Sequence, residues 1–501
     1  MPYRRTFSHG AIHKNASSYR HSYSSKNELV MTEGPVFFKI LAFILPLMVT
    51  NLLQVLYNAA DIMVVSLSSE PDAVGAIGVT SSFVNLILNI CIGFATGANI
   101  VIARLLGAKD NEGVSKATHT SLIISVVFGI ACGALGILVS RPILSLMGTE
   151  GKLLDLAVKY TVIYFFGAPF ISVTNYLIAI FRAKGDTKTP LFILSVSGLL
   201  NFLLNLFFVL VMGMSVEGVA IATAIANVFS FVWLGIRLSN DDSACRFSFK
   251  KICFDKTAFK DILYIGIPAA IQSALFSIAN MMIQSSIIKV NNLTAPSDSA
   301  FSPVVRGNTA AANLDTFMYT AQNSVYQAAI TFTSQNVGAN KPKRVYRIMG
   351  SCYLWGIIIS ALASAVIFIA KDPLLSLYKV TDGAMGTLEH IAYQTATTRL
   401  RCLNILYFVP FMEVGCGVLR GLGRSITSTV VSLIGICFFR ILWIFSVFNP
   451  VFSAVGASEP MKALVAVYVS FPLSHILSGI AFLIISLKAI KSLIKAKTEL
   501  S

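Results

Sequence analysis

The stretch ILAFILPLMVTNLLQVLYNAADIMVVSL, residues 40–67, decides how this chain is built. A bilayer-crossing helix needs about 20 predominantly apolar residues, and this run supplies them while also holding a carboxylate, Asp61. A lone carboxylate at mid-membrane costs on the order of 2.5–3.5 kcal/mol by insertion scales. Asn51, Gln54 and Asn58 precede it at helical spacing, so the four side chains form one polar stripe on a helix whose other faces are Leu, Val, Ile and Met. That stripe calls for a protein interior, and an ionisable group inside it is a functional candidate by default.

The rest of the chain repeats the theme. Of 501 residues, 55% are hydrophobic and 12% charged, with a mean hydropathy of +0.74, values that exclude an ordinary soluble globule and indicate an all-α polytopic membrane protein. About twelve apolar segments recur, centred near Val49, Ile90, Ile130, Phe170, Leu204, Ala226, Ser277, Ala328, Ser360, Phe408, Phe438 and Ile476. The formal net charge of +16 does not point to nucleic acid, because Lys and Arg lie in short breaks between the runs. Alternate breaks hold them, around Lys109, Lys184, Lys250, Lys341, Arg424 and the tail from Lys488. The positive-inside rule makes these breaks and both termini cytoplasmic, in a multi-pass protein of the cytoplasmic membrane. The less basic loops then lie outside, the longest being a polar one from Asn291 to Asn313. Eight scattered Cys and six isolated His, with no metal, nucleotide or protease motif, argue against an enzyme and against a cofactor. Residues 1–33 read as a polar, disordered extension rather than an export signal, and Met31 is an alternative start.

The two halves are copies. Pro46 and Asn58 match Pro268 and Asn280 at one offset, which sets Asp61 opposite Ile283. Gly107-Ala108 pairs with Gly338-Ala339, and Arg182-Ala-Lys-Gly185-Asp-Thr187-Lys-Thr189 with Arg420-Gly-Leu-Gly423-Arg-Ser425-Ile-Thr427. In the last pair the glycines are expected to stop a helix and the cations to suit its C-terminus. Six crossings per copy keep both in one orientation, so twelve transmembrane helices form two six-helix lobes related by a pseudo-two-fold axis along the membrane normal, with a cavity between them. The expected divisions are an N-lobe at 34–240, a linker at 241–260 and a C-lobe at 261–501.

Other polar groups inside apolar runs complete the candidate set. Asn201 and Asn205 share a helix face, and Thr223 follows in the sixth segment; their oxygens suit a hard cation such as Na⁺ or a hydrogen bond to a carboxylate, with interhelical glue the plain alternative. The second half offers Ser273, Ser277, Asn280 and Gln284, then Asn323 and Gln327, and Glu413 in the tenth segment. Glu413 has a structural alternative as the partner of an Arg such as Arg399 or Arg440. Asp315 reads as interfacial.

Leu56-Tyr57-Asn58-Ala-Ala-Asp61, the Arg182 and Arg420 motifs, Gly218-Val-Ala-Ile-Ala-Thr223 and Gln335-Asn336-Val-Gly338-Ala339 together resemble the multidrug and toxic compound extrusion (MATE) family of bacterial antiporters, from about Met31 to the last helix. The resemblance implies export of organic cations in exchange for H⁺ or Na⁺ by two lobes that open alternately. It maps the family's N-lobe cation site onto Asp61, Asn201 and Thr223, with Gln54, Tyr57 and Asn58 as supporting polar groups. One departure is Asn205, where many members carry Asp, so the site holds a single carboxylate. The expected partners are a small organic cation and membrane lipids, the chain acting as a monomer. A flippase for a lipid-linked sugar or similar amphiphile is the competing function; few cations are expected on the cavity helices, which disfavours it.

Overall fold

A backbone in hydrocarbon must satisfy its N–H and C=O groups within its own segment, so each long apolar run becomes a helix. The computed structural model describes residues 28–68, 70, 72–147, 149–294, 302–404, 407–456 and 458–499. In chain order the crossings are α1 Val36–Val65, α2 Ala73–Gly107, α3 Asn111–Leu146, α4 in two pieces, Gly151–Phe166 and Ala168–Lys184, bent by 50°, α5 Lys188–Val211 and α6 Val216–Ser239. The second set is α7 Lys256–Thr294, α8 Pro303–Gly338, α9 Pro342–Ile369, α10 as Leu388–Asn404 and Val409–Gly421, again bent by 50°, α11 Ser425–Val455 and α12 Pro460–Thr498. The bend thus recurs in the fourth helix of each lobe, as duplication demands.

Nine of these helices are apolar enough to span a membrane alone, and the bent pairs raise the count to eleven among the described residues. The twelfth, α8, is 36 residues long but polar along much of its length. Its amides and hydroxyls meet protein instead of lipid: Asn51 of α1 donates to Ser324 Oγ at 3.2 Å, Thr331 to Asn99 Oδ1 of α2 at 3.1 Å, and Gln322 to the Gly356 carbonyl of α9 at 2.9 Å.

The long outer loop expected from Asn291 to Asn313 is largely helix. α7 continues to Thr294 and α8 starts at Pro303, with residues 295–301 outside the described set. The physical cause is a cap supplied from a neighbouring helix, since Asn291 Oδ1 accepts from the backbone N–H of Val304 at 3.1 Å and of Val305 at 3.4 Å. Those N–H groups open α8 and have no partner within it. Residues 1–27 of the expected extension also fall outside the described set. Residues 28–33 pack against the basic face, where Met31 is fully buried and its carbonyl accepts from Asn336 at 3.2 Å.

The lobes are joined at one end and separate at the other. Near the basic loops two apolar cores straddle both lobes, one linking Ala98, Ile102 and Ile180 with Ile262, Ile330 and Leu419, the other linking Ile40, Phe43 and Leu47 with Phe332, Ile348 and Val418. Toward the opposite face each core belongs to a single lobe, for example Val64, Ile77, Tyr160 and Val219 in the first and Ile287, Phe448 and Tyr468 in the second. The cleft therefore opens away from the basic face.

The closed end is itself two-fold. A Cβ on Gly107 would stand 2.0 Å from the Gln335 carbonyl oxygen, and one on Gly338 would stand 1.9 Å from that of Arg104. Only glycine allows α2 and α8 to cross this closely. Beside the crossing, Arg104 Nη2 donates to the Gly421 carbonyl at 3.2 Å, and Gln335 Nε2 donates to that of Ala183 at 2.7 Å. These are the same repeat positions, so each lobe's second helix caps the end of the other lobe's fourth. Gly338→Val should force this end apart. Spin labels at Lys109→Cys and Lys341→Cys should report a longer distance in that variant, and an unchanged distance would mean the crossing does not hold the lobes together.

Candidate functional site

α1, α5 and α6 bring the first-lobe candidates together. Asn205 Nδ2 donates to Asp61 Oδ1 at 2.5 Å. Asn201 stands one turn before Asn205, and the end of its amide that faces Asp61 lies 2.7 Å from Oδ1. In one orientation that end is Nδ2, which donates to the carboxylate while Asn201 Oδ1 accepts from Thr223. In the other, Asn201 Oδ1 accepts from Asn205 Nδ2 at 3.2 Å and Asn201 Nδ2 donates to Thr223 Oγ1 at 3.2 Å. The second orientation sets two oxygens face to face unless Asp61 bears a proton, so amide direction and protonation are linked. Among the described residues no Lys, Arg or His pairs with Asp61 within 4.0 Å.

The stripe on α1 does not act as one face. Asn51 crosses to α8, Gln54 and Asn58 are exposed, and Tyr57 turns with Asp61 toward α5, its hydroxyl donating to the Ser195 carbonyl at 3.1 Å. Helical geometry explains the division, since Tyr57 and Asp61 are four apart and sit at the edge of the stripe farthest from Asn51.

In the second lobe a cavity of about 500 Å³ is lined by Ser273, Asn280, Gln284, Asp315, Glu413 and other groups from α7, α8, α10, α11 and α12, with Asn89 of α2 contributed by the first lobe. Asn280 is exposed to it and Gln284 Oε1 accepts from Asn308 at 3.3 Å. Gln327 is buried elsewhere along α8. Asp315 is not interfacial: it accepts from Arg399 Nε at 2.8 Å and from Asn404 at 2.9 Å, buried inside the lobe. Glu413 pairs with neither Arg399 nor Arg440, and its described hydrogen bond comes from the Tyr319 hydroxyl at 3.4 Å. Contrary to expectation, two guanidinium groups, Arg399 and Arg440, line this cavity. Arg440 sits on a helix that reads as apolar and Arg399 on the polar first piece of α10, and the lining role of both depends on helix orientation that sequence spacing alone does not fix.

The repeated glycine motifs end helices as expected, with φ of 92° at Gly185 and 83° at Gly423. Their cations do more than face water. Arg420 turns inward, donating to the Tyr326 hydroxyl and to Gln272 Oε1. Lys184 is buried against Asp241, with Glu28 at 3.1 Å.

The chain's relationships agree with this architecture. The pattern of the MatE family matches residues 46–207 and again 268–447. The chain belongs to the MatE family. It is 25% identical over 405 residues to the probable multidrug resistance protein YoeA of Bacillus subtilis, covering 79% of this chain and 83% of that protein. It is also 29% identical over 269 residues to the multidrug export protein MepA of Staphylococcus aureus, covering 53% of this chain and 59% of the relative. An outward-facing multidrug resistance MATE transporter of the MOP superfamily superposes with a TM-score of 0.82 at 21% identity, covering 94% of this chain and 99% of that one. MatE proteins are transporters and not enzymes, and this one is a multi-pass membrane protein with twelve helices in two pseudo-symmetric lobes.

Within this MatE fold the Lys184 and Asp241 side chains are only 4% and 5% exposed. Burial acts to raise the Asp241 carboxyl, but the Lys184 ammonium outweighs it and holds the group below its ordinary 3.8. The pair's contribution is therefore full at neutral pH and is lost as pH falls through that lowered value. Asp241→Asn leaves a buried ammonium with Glu28 alone and should destabilise the protein by roughly 3 kcal/mol. Thermal unfolding of the purified protein at neutral pH checks this, and an unchanged midpoint would contradict it.

Proposed function

We propose that this protein exports organic cations across the bacterial cytoplasmic membrane in exchange for protons, as a monomer whose lobes open alternately to either side. The observation that carries the reading is the Asp61 carboxylate, whose hydrogen-bond partners among the described residues are the amides of Asn205 and Asn201. Among the described residues that charge has no Lys, Arg or His within 4.0 Å, and a proton removes it. With Asp61 ionised, the Asn201 amide turns its N–H groups to the carboxylate. Once protonated, the carboxyl donates to Asn201 Oδ1, and the amide's N–H groups go to Thr223. The proton on α1 is thereby relayed to α5 and α6, biasing how those helices pack.

With the basic face in the cytoplasm, the present cleft opens outward, where protons enter and cargo leaves. Each charge moving down the membrane potential is worth about 2.3 kcal/mol per 100 mV, enough to bias a two-state rocker by tens of fold. Na⁺ is a second reading, favoured by Asn205 Oδ1, which is buried without a hydrogen-bond partner. One carboxylate, two amide oxygens and the Thr223 hydroxyl fit a hard cation, which would supply the same neutralisation.

Purified protein in liposomes, given proton and sodium gradients separately, tests the proposal with a fluorescent organic cation. Proton-driven efflux is expected in the wild type and a loss of at least about tenfold in Asp61→Asn, which keeps the side chain's shape and its hydrogen bond from Asn205 but not its proton chemistry. Gradient-driven efflux retained by Asp61→Asn would refute the assignment, and efflux driven only by sodium would select the second reading.

A further inference from the structure

The charges around the second-lobe cavity do not cancel locally. Arg399 is neutralised by Asp315, its Nη1 also donating to Asn308 Oδ1 at 2.8 Å. That leaves Arg440 and Glu413. Arg440 is 5% exposed, donates from Nε to Ser474 Oγ at 3.1 Å and from Nη2 to His475 Nε2 at 3.0 Å, and lies 4.2 Å from the centroid of the Phe471 ring. A histidine nitrogen that accepts carries no proton, so His475 brings no compensating or opposing charge. No carboxylate lies within 4.0 Å of Arg440 among the described residues, and its Nη1 makes no described hydrogen bond. Glu413 has the long contact to Tyr319, and the buried guanidinium of Arg420 is the cation that acts on it.

The backbone also marks this position. Arg440 stands in the short α-helical piece Phe439–Trp443, between two π-helical turns, Leu433–Phe438 and Ile444–Phe448. Wide turns of this kind insert a residue and re-aim the side chains beside them, and they concentrate at functional sites. The other π-turn among the described residues, Phe207–Val211, directly follows Asn205 of the Asp61 cluster.

We propose that the second-lobe cavity is a bipolar subsite that holds zwitterionic organic amphiphiles, the guanidinium of Arg440 binding the carboxylate end and Glu413 facing the cationic end. This deepens the export reading and rests on it. The cavity's volume of about 500 Å³ is within the range of small-molecule sites, Phe471 and Phe408 supply apolar wall, and a guanidinium with a free edge recognises a carboxylate through charge-assisted hydrogen bonds. Binding supplies Arg440 with the carboxylate that no described residue provides within 4.0 Å.

The test compares a rhodamine bearing a free carboxylate with the methyl ester of the same dye, by fluorescence polarisation on purified protein without any gradient. The wild type should bind the free acid about tenfold more tightly than the ester, the worth of one charge-assisted contact. Arg440→Gln should abolish that preference, and binding of the ester by the same variant, at an affinity no lower than in the wild type, reports that the cavity is intact. Arg440→Lys, which keeps the charge, should restore part of the preference. No binding of the free acid, no preference in the wild type, or an unchanged ratio in Arg440→Gln overturns the proposal. Proton-driven efflux of the ester by the wild type is read in parallel: its absence, with the binding ratios as expected, counts against the export reading and not against the subsite.

Discussion

A carboxylate inside a membrane lobe, met by two asparagine amides and by no Lys, Arg or His within 4.0 Å among the described residues, is the constraint on which the rest of the structure turns. Asn205, and Asn201 in one orientation of its amide, donate to Asp61 and stabilise it without removing its charge, which costs far more in an apolar medium than in water. A fixed counter-ion would settle the group permanently. On the proposed reading neutralisation falls to a mobile ion, and the choice of amide orientation at Asn201 carries that event to the neighbouring helices.

Duplication supplies the frame on which this asymmetry is built. The glycine crossing of α2 with α8 and the paired donors Arg104 and Gln335 treat the lobes as equals, and they seal one end of the cleft. The interiors are not equal. Ile283 stands where the first lobe has Asp61, and the second lobe instead gathers Asp315, Arg399, Glu413 and Arg440 around its own cavity. One repeat thus carries a lone ionisable group, to which the proposal assigns coupling, and the other a wall of mixed charge, to which it assigns a guest. π-helical turns beside Asn205 and Arg440 mark the point where each lobe leaves the regular helical pattern.

Much of this was legible in the sequence, because hydropathy and repeat offsets are local properties. The twelve crossings, the two-lobed duplication, the glycine stops at Gly185 and Gly423 and the grouping of Asn201 with Asn205 all follow from spacing along the chain. What escaped depended on partners far away in sequence. The polar stretch after Asn291 reads as a loop until Asn291 is seen capping the helix that starts at Pro303. α8 looks too polar to cross until its amides meet α1, α2 and α9. The stripe on α1 divides because different neighbours claim its two edges. Arg399 and Arg440 read as possible partners for Glu413, but Asp315 takes the first, and the second is turned into the cavity.

The protonation state of Asp61 in the two arrangements of the lobes is the most direct measure of the account. Infrared difference spectra between outward-open and inward-open protein, each trapped by a disulfide across the opposite end of the cleft, report the carbonyl stretch of a protonated carboxylic acid. A band that differs between the two states and is missing from Asp61→Asn is the predicted result. A carboxylate that is ionised in both states, with identical spectra in the variant, would contradict it.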